Sequence, residues 1–187
     1  LESTRTTIDF SPGATTVGTI LFEAAAPAYT FNIGESNRSA PGCPSARDIV
    51  EITGAGIVNN SAAQHTFFVG AFLGSSSLTF RNASTAGNVL ILGNGNQSLA
   101  PSNGCGTGIN ATNCSFLGGV NFRDSSTAGS ATFTNTSSPG VFFHNLSSAG
   151  NAVINSQDNL FAQGLFYDGS TAANAPINNG DAPKGRF

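Results

Sequence analysis

Charge is scarce in this chain. Only 9% of its 187 residues are Asp, Glu, Lys or Arg, against about 25% in an ordinary globular domain. Solubility has to rest on uncharged Asn, Ser, Thr and Gly. Seven Lys and Arg residues and a net charge of −3 exclude the clustered basic stripe of a nucleic-acid groove. No apolar run approaches the length of a membrane-spanning helix, about 18 residues, so no membrane insertion by this chain is expected. Methionine is absent, and the start, LESTRTTIDF, is charged and lacks the apolar stretch of a signal peptide. The expectation is a chain processed ahead of residue 1 or excised from something longer.

Cysteine is sparse and odd in number. Cys105 and Cys114 share the segment GCGTGINATNC and could close a small loop by disulfide in an oxidising compartment, which leaves Cys43 without a mate. A zinc set lacks its fourth ligand, because His65 and His144 are remote in sequence; no metal and no cofactor is expected. So little charge would suit a disordered segment, but 39% hydrophobic residues and 15 Phe do not.

Those phenylalanines are spaced by rule. The segments FRNASTAGNVLI, FRDSSTAGSATF, FHNLSSAGNAVI and FYDGSTAANAPI begin at Phe80, Phe122, Phe143 and Phe166, steps of 42, 21 and 23 residues. No helical face of three or four turns stands out, so the chain reads as all-β. A fixed period near 21 with strand-turn-strand text signals a single solenoid domain over residues 1–187, built of stacked coils of about 20–21 residues. Because 42 is twice 21, the reading places one degenerate coil between Phe80 and Phe122. Gly, Pro and Ser content marks loop excursions near 34–47 and 96–118.

Within each repeat, counted from Gly87, Gly129, Gly150 or Ala173, Phe stands seven before and Ala one before. Two and four after come Val89 and Ile91, Ala131 and Phe133, Ala152 and Ile154, Ala175 and Ile177. These share one strand face. Stacking then predicts interior ladders of Phe80, Phe122, Phe143 and Phe166, and of Ile91, Phe133, Ile154 and Ile177. Ser84, Ser126, Ser147 and Ser170 are expected to satisfy turn backbone groups. Asn82, Asp124, Asn145 and Asp168 are expected to bond their own turns. If Gly at the origin has positive φ, Ala173 predicts a relaxed last turn, and Pro176 an unpaired or covered strand where the stack ends.

The phrases TILFEAAAPAYTFNI, ITGAGIVNNSAAQHTF and LTFRNASTAGNVLI resemble repeat arrays of bacterial autotransporter passenger domains and related large secreted proteins. The resemblance covers most of residues 15 to 180. It implies a right-handed parallel β-helix, exported and exposed at the bacterial cell surface or released, serving as a stalk or display. The C-terminal β-barrel of such proteins has no counterpart in this text.

Catalysis on such a scaffold needs converging carboxylates with a basic or calcium partner. The mixed Asn82, Asp124, Asn145, Asp168 column is better explained as turn chemistry, so no catalytic residue is assigned. Arg81, Arg123, His144 and Tyr167 form an outward column that could stack on sugar rings or belong to a solvated surface. His65 has no repeat partner, and its neighbours Thr66, Phe67 and Phe68 suggest a strand surface. The outward residues Leu90, Thr132, Val153 and Pro176 are too irregular for an ice-binding array. The expectation is a non-enzymatic structural module of an extracellular surface protein, an adhesin stalk or self-assembling fibre. Its ends would meet another copy of itself or the remainder of a longer passenger. The alternative is a module binding a glycan or host surface.

Overall fold

The structure, a computed structural model, describes residues 5–10, 13–34, 48–70, 76–94, 119–135, 140–156 and 164–179. Among them there is no helix, and thirteen strands follow in chain order. They are β1 (Thr7–Asp9), β2 (Gly13–Phe22), β3 (Thr30–Ile33), β4 (Asp48–Asn59), β5 (Thr66–Gly70), β6 (Ser77–Phe80) and β7 (Leu90–Asn94), then β8 (Gly119–Phe122), β9 (Thr132–Asn135), β10 (Val141–Phe143), β11 (Val153–Ser156), β12 (Gly164–Phe166) and β13 (Ile177–Asn179). Odd-numbered strands make a seven-stranded sheet and even-numbered strands a six-stranded one, each in chain order. All pairings are parallel. The chain therefore alternates between sheets, and each strand lies on the strand two before it. One even strand, its turn and the next odd strand form a layer.

A third column joins the layers at the corner between the sheets. Gly56, Thr85, Thr127, Ser148 and Thr171 are linked in that order by single parallel bridges. The cysteines at 43, 105 and 114 fall outside the described residues, as do the excursions near 34–47 and 96–118 apart from Gly34.

Side chains alternate along each strand, so one face of every strand enters the interior. In β9 and β11 the inward members are Phe133 and Ile154, both fully buried, followed by the buried Asn135 and Ser156. They continue a column that runs through Phe31, Phe67, Ile91, Phe133, Ile154 and Ile177 in strict register. In the even sheet Phe80, Phe122, Phe143 and Phe166 stack with centroids 4.8, 4.9 and 4.7 Å apart. Burying each such side chain is worth about 1.5–3 kcal/mol. Ala86, Ala128 and Ala149 are fully buried where the chain turns the corner.

One expectation from the spacing fails. β6 pairs directly with β8, Phe80 opposite Phe122, and β7 pairs directly with β9. No layer stands between them, so the step of 42 residues is one layer plus an insertion rather than two coils.

The first layers are built differently from the repeats. Ile52 lies under Phe80 and Gly56 under Thr85, so β4 covers in four residues what the repeats cover in five. The additional residue is the Asx, held in the left-handed region: Asn82, Asp124, Asn145 and Asp168 have φ of 57°, 59°, 59° and 56°. Asn and Asp tolerate that conformation better than other residues with a Cβ. Without it β4 runs on as one strand of 12 residues, with Gly56 at φ 98° and a register shift against β2 opposite Val17 to Thr19.

Candidate functional site

The repeated Asx and Ser side chains bond from one layer to the next. The backbone N–H of Asn82 donates to Oδ2 of Asp124 at 2.9 Å, that of Asp124 to Oδ1 of Asn145 at 3.0 Å, and that of Asn145 to Oδ2 of Asp168 at 3.0 Å. The oxygens thus reach the neighbouring layer, where turns on their own backbone were expected. The left-handed turn aims the peptide N–H along the stack, and a neighbour's side chain is what meets it.

Serine does both: within the turn, as expected, Ser147 Oγ accepts the His144 N–H at 3.0 Å and the Ser170 hydroxyl donates to the Tyr167 carbonyl at 2.6 Å, and the serines also reach back a layer. The hydroxyls of Ser84, Ser126, Ser147 and Ser170 donate to the carbonyls of Ile52, Phe80, Phe122 and Phe143, at 3.2–3.3 Å. Each acceptor lies in the preceding layer. Thr85, Thr127, Ser148 and Thr171 act locally instead: each hydroxyl oxygen accepts the N–H two residues on, at 3.0–3.1 Å. These turns end at Gly87, Gly129, Gly150 and Ala173, with φ of 66°, 63°, 62° and 49°. Ala173 keeps the shape of its glycine equivalents, against the expectation that the last turn relaxes. A Cβ at Gly129 or Gly150 would come within 3 Å of the glycine carbonyl one layer before.

In the outward column after the Phe ladder, Arg81 pairs with Glu51 outside the column and His144 stacks on Tyr167, while Arg123 acts on His144 through its charge. Nε of Arg81 meets Oε1 of Glu51 at 2.9 Å, with the two side chains 40% and 31% exposed, a surface pair worth at most about 1 kcal/mol. His144 and Tyr167 stack at 4.8 Å with planes 10° apart, and Tyr167 remains 42% exposed. Desolvation pushes the His144 pKa below its ordinary value, and the Arg123 guanidinium pushes it the same way, while Asp168 opposes them. An open groove lined by Arg5, Thr7, Ile8, Asp9 and Tyr29 lies apart from this column, at the β1 edge.

His65 is fully buried rather than on a strand surface. Its ring stacks on Phe22 at 3.5 Å. The Tyr29 N–H donates to Nδ1 at 3.2 Å, so in the neutral ring the proton sits on Nε2, which faces Ser61 Oγ at 3.0 Å and Asn59 Oδ1 at 3.2 Å. The Ser61 hydroxyl in turn donates to Asn59 Oδ1 at 2.7 Å. A nucleophilic serine needs an imidazole lone pair facing its hydroxyl; this tautomer presents an N–H. The cluster closes the interior beside Phe22, and desolvation lowers the pKa of His65. Sequence reasoning missed it because Tyr29, Asn59, Ser61 and His65 obey no common period.

Among the described residues no group of three or more His, Cys, Asp or Glu gathers as a metal site. No family model matches the chain, and no curated protein or solved structure gives a match to it.

Proposed function

We propose that the chain is a non-enzymatic structural module of an extracellular bacterial surface protein, an adhesin stalk or self-assembling fibre. In this reading the two sheets are faces of a right-handed parallel β-helix with about 20–21 residues per coil, the hand following from the general preference of parallel crossovers. The observation that carries it is the direction of the polar side chains. Asx and Ser, the residues that most invite a chemical role, are spent on bonds from one layer to the next. Such a module resists separation along its axis through many small, repeated contacts. The resemblance to passenger-domain repeats supports the surface location and the remainder of a longer passenger, or another copy, as partner.

Electron microscopy of purified protein tests the reading. Rods of uniform width, single or joined end to end, support it. Rounded particles, or release of oligosaccharides from acidic polymers by the pure chain, overturn it.

A second reading, a module binding a glycan or host surface, draws on the exposed Tyr167 stacked on His144, with Arg81 and Arg123 in the same column. Glycan-array binding that is lost in the double variant Arg123→Ala, Tyr167→Ala would favour it.

A further inference from the structure

The ladders have a direction. The repeats of Phe122, Phe143 and Phe166 send an Asx oxygen and a Ser hydroxyl to the preceding layer, and those of Phe80, Phe122 and Phe143 offer an Asx N–H and a Phe carbonyl to the following one. Asn82, in the first repeat, instead donates from Nδ2 to the Thr53 carbonyl at 2.8 Å. The last described repeat offers both and receives neither. Asp168 N–H and Phe166 carbonyl make no hydrogen bond among the described residues, whereas Asn145 N–H and Phe143 carbonyl are each bonded by the layer that follows them. The apolar positions repeat the contrast. Phe143, Ala149, Ala152 and Ile154 are fully buried, while Phe166, Ala172, Ala175 and Ile177 are only half-buried. β12 and β13 are the edge strands of their sheets.

The opposite edge does not complement this one. β2 carries Val17 at the Phe position and Thr19 at the corner position of Thr85, with Gly18 alone between them, so it has neither an Asx nor the Ser of the repeats. The Thr19 hydroxyl oxygen accepts the N–H of Ala55 in the following layer at 3.0 Å. A second copy's β2 edge therefore brings neither an oxygen for Asp168 nor a hydroxyl for Phe166.

We infer that the edge formed by β12, the Asp168 turn and β13 is a docking surface for a strand-turn-strand segment of the type Phe-x-Asx-x-Ser-Ser/Thr-Ala-Gly. Its partner is a further repeat of this kind, not the N-terminal edge of another copy. The layer-to-layer interface seen between Phe80, Phe122, Phe143 and Phe166 supplies the geometry: an Asx oxygen on Asp168 N–H, a hydroxyl on Phe166 carbonyl and a ring over Phe166. This rests on reading the sheets as stacked coils. Main-chain pairing supplies affinity, and the three side chains supply specificity.

The test is hydrogen exchange on the full chain, with and without a synthetic peptide of residues 119–135, GVNFRDSSTAGSATFTN. Binding is followed in parallel by fluorescence anisotropy of the labelled peptide. The expected result is saturable binding, with exchange slowed about tenfold or more at Asp168 and along residues 164–179. The same peptide carrying Asp124→Ala and Ser126→Ala should bind about tenfold more weakly. Three results overturn the inference: no peptide-dependent protection, equal binding of the altered peptide, or protection that rises with protein concentration alone at both β12–β13 and β1–β2. Failure of the stacked-coil reading is distinguishable, because the amides of Phe122 and Phe143 would then exchange freely before any peptide is added.

Discussion

The rings of Phe80 and Phe122 stack at 4.8 Å with planes 5° from parallel, although 42 residues separate them in the chain. Phe122 and Phe143, which are 21 apart in the chain, stack at nearly the same spacing, 4.9 Å. The interior thus registers layers rather than residues, and a long insertion leaves the ladder unbroken. Phe122 has a ring above and below it, whereas among the described residues Phe166 has a ring on one face only. Phe122→Ala should cost about 3–5 kcal/mol and Phe166→Ala less than half as much, measured by denaturant unfolding. Equal costs would mean that the ring column does not hold the layers together.

Two buried serines make a matched comparison. Ser147 donates to Phe122 carbonyl and accepts the His144 N–H, so Ser147→Ala should cost about 1 kcal/mol or more. The buried Ser156 hydroxyl has no partner among the described residues, and Ser156→Ala should leave stability unchanged or raise it. If Ser156→Ala costs as much as Ser147→Ala, the assigned bonding is wrong.

Ala173 sits at φ 49°, a region that costs a residue with a Cβ about 1–2 kcal/mol. Ala173→Gly should therefore raise stability by about 1 kcal/mol, less whatever the freer unfolded chain takes back. A melting temperature that falls in this variant would show that the turn is not left-handed.

His65 gives the fold an acid sensitivity. Burial holds its pKa below the ordinary value of 6.5. Above that value folded and unfolded chains both carry a neutral ring. Below it the unfolded chain takes up a proton that the folded one refuses, so stability falls as pH drops from about 6.5 to the folded pKa and is then level. His144 shifts in the same direction, so the comparison belongs in a His144→Gln background. There, His65→Gln should flatten the slope of unfolding free energy between pH 6.5 and 5, and an unchanged slope would assign it elsewhere.

The ladders could be read from the text because inward positions alternate with period two and recur every layer; Phe133 and Ile154 follow from that rule alone. What lay between Phe80 and Phe122 could not, because an insertion of about one period leaves the same spacing as a coil. The Asx oxygens misled for a different reason. A left-handed turn is legible in Asn and Asp, but whether the oxygen bends back or reaches the next layer depends on how closely the layers approach. His65 lacked any periodic signal, since its partners Tyr29 and Ser61 sit on irregular corners of two successive layers.

The Asx column alternates its charge: Asn82, Asp124, Asn145, Asp168. Had every member been aspartate, carboxylates would face one another one 4.7–4.9 Å step apart along the axis. With asparagine interposed, the anions stand two steps apart, close to the screening distance of about 8–10 Å in moderate salt. Amide and carboxylate accept the same N–H, so the substitution removes repulsion without removing a bond. A structure that multiplies every local choice along its length turns one ionised side chain into a line of charge, and sparing use of Asp keeps that line dilute.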